Sequence, residues 1–156
     1  LTASALLFNS VIETTEEMMS LGESVSKVLT AGDLVLLIGP LGAGKTTLTR
    51  GVGKGLKAIG NVSSPTFVIA RTHKRENSDT PLVHVDAYRL GSPSELDDLD
   101  IPFSEAIVLV EWGKGLTDGI ADNWLEIEIA RDTTGVSETR TIQITGFGPR
   151  WQQVKF

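Results

Sequence analysis

Residues 33–50, DLVLLIGPLGAGKTTLTR, decide the fold. The first part, DLVLLIG, is a continuous apolar run of strand length, and such runs suit a strand buried on both faces of a parallel sheet. The second part carries Gly39-x4-Gly44-Lys45-Thr46, a complete Walker A pattern. The chemistry needs these residue types. Glycines let successive backbone N–H groups turn inward and approach phosphate oxygens, and the N-terminus of the following helix adds positive potential. Lys45 is placed to reach the β- and γ-phosphates and the Thr46 hydroxyl to bind Mg²⁺. The candidate nucleotide-binding residues are therefore Leu41, Gly42, Ala43, Gly44, Lys45, Thr46 and Thr47. Beyond the loop, Leu48, Val52, Leu56 and Ile59 are spaced for one face of a helix. Gly51, Gly53 and Gly55 weaken that helix, which predicts close packing on the sheet.

Magnesium held by one hydroxyl needs further oxygen ligands, normally a carboxylate directly or through water. Two apolar runs end in one: LVHVD in Asp86 and IVLVE in Glu111. Ligands in open α/β sheets gather at the carboxyl ends of the strands, so both acids are expected at the phosphates. One would hold metal while the other orients or deprotonates the attacking water. SSPTF, residues 63–67, reads either as a switch-like loop whose Thr66 senses the γ-phosphate or as an ordinary turn. His84 shares the strand face of Asp86 by period two, and His84 and Tyr88 read as packing residues. Trp112 reads as core or as an aromatic wall of the site.

The rest of the chain extends the α/β pattern. ALLFNSVIE reads as an N-terminal strand, and the next twenty residues as a helix with Thr14 and Glu17 in a capping box and Gly32 at its stop. Two strands, 67–73 and 82–86, are expected to be joined by a polar loop. SPSELDDL reads as a short, solvated helix with Ser92 or Ser94 as N-cap. AIVLVEWG is another buried strand, and WLEIEIA and TRTIQIT alternate like an antiparallel pair. The expected fold is α/β: a single P-loop NTPase-like domain over residues 1–156, with a mixed, mostly parallel central sheet flanked by helices.

Composition sets the outer bounds. The 156 residues are 40% hydrophobic and 22% charged, as in globular proteins. The chain has no cysteine, which excludes disulfides, thiolate metal sites and cysteine nucleophiles. No apolar run reaches the roughly 18 residues of a membrane span. The first apolar stretch lacks a basic flank, so no secretory signal is expected and the location expected is the cytoplasm. The chain opens on Leu1 rather than Met, which predicts a few residues upstream. A net charge of −6 argues against an autonomous grip on nucleic acid. The one basic cluster, RTHKR at 71–75, reads as a solvated loop.

Among nucleotide-using proteins, a GTPase needs a base-specificity element, and there is no N-K-x-D; DTTG at Asp132 reads as a turn. A small-molecule kinase would need a lid or substrate segment, for which only the acidic stretch 91–103 is available. A nucleotide-binding interaction module with negligible turnover is the third class.

Four blocks in order, GPLGAGKTTLTRG, SSPTFVI, PLVHVDAYRL and VLVEWG, resemble the TsaE (formerly YjeE) family of bacterial ATPases of tRNA threonylcarbamoyladenosine biosynthesis. The resemblance runs from about residue 14 to Trp124, and SPTF, HVDAYRL and EWG together are its specific part. It implies a P-loop α/β domain that binds ATP with Mg²⁺ and hydrolyses it slowly. It also implies a pair of partner proteins that carry out the threonylcarbamoyl transfer and hold the tRNA. By the resemblance Lys45 and Thr46 match the phosphate and metal positions, and Asp86 the metal-associated acid. Glu111 matches the acid linked to metal binding and hydrolysis, and Ser64, Pro65 and Thr66 the switch-like segment. Many members have proline where this chain has Gly113.

Overall fold

Residues 33–50 and the five that follow fold as strand, loop and helix: β2 (Leu34–Ile38), the glycine loop, and α2 (Lys45–Gly55). The computed structural model describes residues 2–62, 69–131 and 138–156. The remaining elements are β1 (Ser4–Ile12), α1 (Thr15–Ser26), β3 (Ala70–Arg75), β4 (Ser78–Asp86), α3 (Pro93–Asp97), β5 (Ile107–Glu111), β6 (Trp124–Arg131), β7 (Arg140–Phe147) and a terminal 3-10 turn, Pro149–Trp151. The seven strands form one sheet in the order β1-β7-β6-β2-β5-β4-β3. Its four central strands, β6, β2, β5 and β4, are mutually parallel, and antiparallel strands complete both sides.

The uninterrupted apolar runs have a direct cause. On β2, Val35 and Leu37 enter one core with α1 and α2, while Leu34 and Leu36 enter a second core on the opposite face with Leu96 of α3. On β5, Ile107 and Leu109 divide from Val108 and Val110 in the same way. Both faces are covered, so neither tolerates polar alternation.

Helix α1 begins at its cap. Thr14 Oγ1 accepts from the Glu17 N–H at 3.1 Å, and Glu17 Oε2 accepts from the N–H of Glu13, one residue before the cap, at 2.9 Å. The helix ends at Ser26, not at Gly32. Lys27 and Val28 follow in a turn, Leu29 lies beyond it, and Gly32, at φ 92°, belongs to the turn that leads into β2. Ile59 likewise falls outside α2 and is 52% exposed. The α2 glycines pack chiefly on α1 rather than on the sheet. A Cβ on Gly51 would run into the Met19 carbonyl, one on Gly22 into the Leu48 carbonyl, and one on Gly55 into the Ser26 side chain.

The basic cluster is not a loop. β3 and β4 meet in a turn at residues 76–77, so Arg71, Lys74 and Arg75 lie on the sheet's edge strand. Charged side chains there discourage edge-to-edge pairing with other chains. Residues 63–68, with Thr66 and the SSPTF reading, and residues 132–137, with the DTTG reading, lie outside the described residues.

Candidate functional site

Three elements bring the sequence-selected residues to one cleft. The glycine loop turns between β2 and α2 because Gly42 (φ 77°) and Gly44 (φ 111°) adopt left-handed backbone, which a β-carbon would strain. β4 and β5 are parallel neighbours in which Asp86 and Glu111 are Cα partners, so both acids leave the sheet at the same end and on the same face. The cleft, about 690 Å³, is lined by Leu41, Gly42, Ala43, Gly44, Lys45, Thr46, Thr47, Asp86 and Glu111, together with Ile69, Tyr88, Arg89 and Trp112. Every described candidate therefore reaches the same space.

Lys45 is 6% exposed. Its Nζ donates to the Gly39 carbonyl at 2.5 Å and to that of Pro40 at 3.3 Å. Burial lowers its pKa below the ordinary 10.5, and the negative charges of Glu111 and then Asp86 act in the opposite sense. Asp86 Oδ1 accepts from the Tyr88 N–H at 3.0 Å, and Glu111 Oε2 is 2.7 Å from His84 Nε2. Each carboxylate thus uses one oxygen in these bonds, and the second oxygen has no hydrogen-bond partner among the described residues.

That donor set suits magnesium carried by a nucleotide. Mg²⁺ prefers hard oxygen, usually one or two carboxylates plus substrate phosphates. Here the glycine loop offers a phosphate cradle, Lys45 a buried cation, and Thr46, Asp86 and Glu111 hard oxygens at the same cleft.

Tyr88 is not a packing residue: it is 69% exposed and sets its ring edge-on to Trp112, 5.2 Å between centroids. Trp112 is a wall of the cleft, and its φ of 62° is uncommon for an aromatic residue. Gly113 lies so close beneath that a Cβ there would stand 2.5 Å from Val110 Cγ1. Arg140 has no local sequence signal. From β7 its Nε donates to the Ala43 carbonyl at 3.0 Å, tying the glycine loop to a strand 97 residues away. A second hollow, about 360 Å³, also borders the glycine loop and is lined by Met18, Thr47 and Arg140 among others.

A glycine loop joining a central parallel strand to a helix, with acids ending the neighbouring strands, defines a P-loop NTPase-like α/β protein. The solved crystal structure of Bacillus subtilis YdiB shares the fold, with a TM-score of 0.73 and 26% identity over 97% of this chain and 90% of that one. The family model described as threonylcarbamoyl adenosine biosynthesis protein TsaE matches residues 12–142, and the chain belongs to the TsaE family. Similar relatives named tRNA threonylcarbamoyladenosine biosynthesis protein TsaE include one from Streptomyces coelicolor, 49% identical over 86% of this chain and 93% of its own length. Another, from Bacillus subtilis, is 34% identical over 89% of this chain and 85% of its own. Among the described residues no helix is long and apolar enough to cross a membrane.

Proposed function

We propose that this chain, as one domain over residues 1–156, is a cytoplasmic ATPase that binds Mg-ATP and hydrolyses it slowly. In this reading it is an accessory to the two-protein transferase that places threonylcarbamoyl groups on tRNA adenosine. The observation that carries the proposal is the convergence of Lys45, Asp86 and Glu111 on the glycine-loop cleft of a TsaE-family chain. The relatives' names supply the tRNA context.

The residues divide the work. Backbone N–H groups from Leu41 to Thr47 bind the phosphates, and Lys45 turns from the loop carbonyls to the β- and γ-phosphates. Thr46, Asp86 and Glu111 hold the metal, and Mg²⁺ when bound neutralises charge between the terminal phosphates. One of the two acids orients the attacking water, and Glu111, 4% exposed at the end of β5 while Asp86 is half-buried, is proposed for that role. Thr66 is proposed to sense the γ-phosphate. The smaller hollow beyond Thr47 has room for the base. Slow turnover follows if the charge-stabilising arginine comes from a partner; Arg89, which lines the cleft, is the candidate within the chain. A net charge of −6 fits a protein whose partners, rather than itself, hold the tRNA.

The test is phosphate release from ATP and from GTP, by the chain alone and with the transferase pair and tRNA. ATP-selective turnover that rises with the partners is expected. Turnover indifferent to the partners but stimulated by a small metabolite would overturn the proposal in favour of a kinase.

A further inference from the structure

His84 reads in the sequence as packing, and it is indeed fully buried on β4. Its two ring nitrogens, however, are treated very differently. Nε2 stands 2.7 Å from Glu111 Oε2, with side-chain exposures of only 0% and 5% for the pair. Nδ1 is buried and has no hydrogen-bond partner among the described residues. A neutral imidazole carries one N–H. On Nδ1 that hydrogen would lack an acceptor while the Nε2 lone pair faced a carboxylate oxygen. On Nε2 it makes a charge-assisted bond. The arrangement selects the Nε2–H tautomer, donating to Glu111. Packing alone does not account for this residue, because an apolar side chain would fill the space without leaving a bare nitrogen in the core.

We infer that His84 is a positioning residue for Glu111: its Nε2–H holds Oε2, fixes the carboxylate's rotation, and thereby aims Oε1 at the phosphate cleft. Partners of this kind orient functional carboxylates that do not touch them through any reacting atom. The constraint comes from the interior of the sheet, where β4 and β5 are held in register by the pairing of His84 with Leu109 and of Asp86 with Glu111. His84 therefore acts on water or metal only through Glu111. The inference rests on the reading of Glu111 given under Proposed function.

Three substitutions separate positioning from packing. His84→Leu removes the donor, His84→Gln sets an amide nitrogen near the place of Nε2, and His84→Asn sets one nearer Nδ1. Thermal unfolding of each variant reports whether it folds. The expected result is a kcat at least about tenfold lower in the Leu variant, with Mg-ATP affinity within about threefold of wild type. Gln should recover most of that loss and Asn should not. Long-range ¹H–¹⁵N NMR of the wild-type chain should show His84 protonated on Nε2, with a resonance that moves in Glu111→Gln. An Nδ1–H tautomer would overturn the inference, as would a folded Leu variant with wild-type kcat or one losing kcat and affinity in step. If the Leu variant does not fold, a Gln variant no better than Asn also overturns it. A wild-type chain that binds nucleotide but never hydrolyses it, even with its partners, would instead remove the hydrolase reading. The tautomer and its response to Glu111→Gln would then still decide whether His84 holds Glu111.

Discussion

The Lys45 ammonium stands 4.0 Å from the centroid of the Trp112 ring. Together with the Gly39 and Pro40 carbonyls, the ring makes up its surroundings among the described residues, none of which puts a formal anion in hydrogen-bond contact with it. A phosphate oxygen offers a stronger partner than any of the three. Trp112 reaches this position by adopting left-handed backbone directly after Glu111, a conformation that costs an L-residue roughly 1–2 kcal/mol. The aromatic wall and the acid are thus set by one turn at the end of β5.

The charge balance at Lys45 is open to titration. Burial lowers its pKa and Glu111, ahead of Asp86, raises it. Glu111→Gln should lower the Lys45 pKa further, because losing a negative neighbour favours the neutral amine. Asp86→Asn should do so by less. NMR of the lysine Nζ would read both, and a Lys45 pKa indifferent to Glu111 would refute the coupling. Lys45→Ala should abolish tight nucleotide binding.

Glu111→Gln keeps the size of the side chain and removes its charge. Turnover should fall about a hundredfold or more, the scale of a lost general base, while Mg-ATP affinity falls by no more than about a few-fold, because Thr46, Asp86 and the phosphates still hold the metal. Parallel losses in kcat and affinity would mean that Glu111 binds metal without orienting water.

Helices α1 and α2 touch through glycine. Gly51→Ala places a methyl against the Met19 carbonyl, where only backbone can yield. The cost should be about 1–3 kcal/mol, lowering Tm by roughly 2–12 °C for a chain of this size. Gly91→Ala is the control: its Cβ would meet only Glu95 side-chain oxygens, at 3.7 Å and beyond, and should cost no more than about 0.5 kcal/mol.

The C-terminal turn is fastened to the start of β2. Arg150 Nε and Nη2 each lie 2.6 Å from an oxygen of Asp33, and Nη2 also donates to the Val28 carbonyl at 2.7 Å. Asp33 is 5% exposed, so Arg150→Met would leave a buried carboxylate with Thr30 as its remaining partner. Breaking such a pair should cost about 2–3 kcal/mol in denaturant unfolding, below the fully buried case because Arg150 is a third exposed. Lysine should rescue it poorly, since it cannot make the two-pronged contact.

His73 supplies a pH dependence of stability. Burial lowers its pKa from 6.5; the Ile59 carbonyl opposes this, and His84 and Arg71 add to it. The folded chain therefore takes up this proton at lower pH than the unfolded chain. Stability contributed by neutral His73 is complete above about pH 6.5 and is lost as pH falls toward the folded value. Unfolding of His73→Gln should be flatter across that window than wild type, and identical slopes would refute it.

Much of this protein is written locally. The glycine loop, its lysine and threonine, the buried strands and the acids that end two of them are legible because each depends on near neighbours or on a simple period. A strand covered on both faces has to be apolar throughout, and a phosphate cradle has to be glycine-rich. Other features depend on which distant segments meet. β1 joins β7 across the length of the chain, Arg140 reaches Ala43, α2's glycines face α1 rather than the sheet, and RTHKR becomes an edge strand. His84 looks like any core residue until β4 is set beside β5 and its ring meets Glu111. Local periodicity determines which residues turn inward; only the order of strands and the crossing of helices decides what each one finds there.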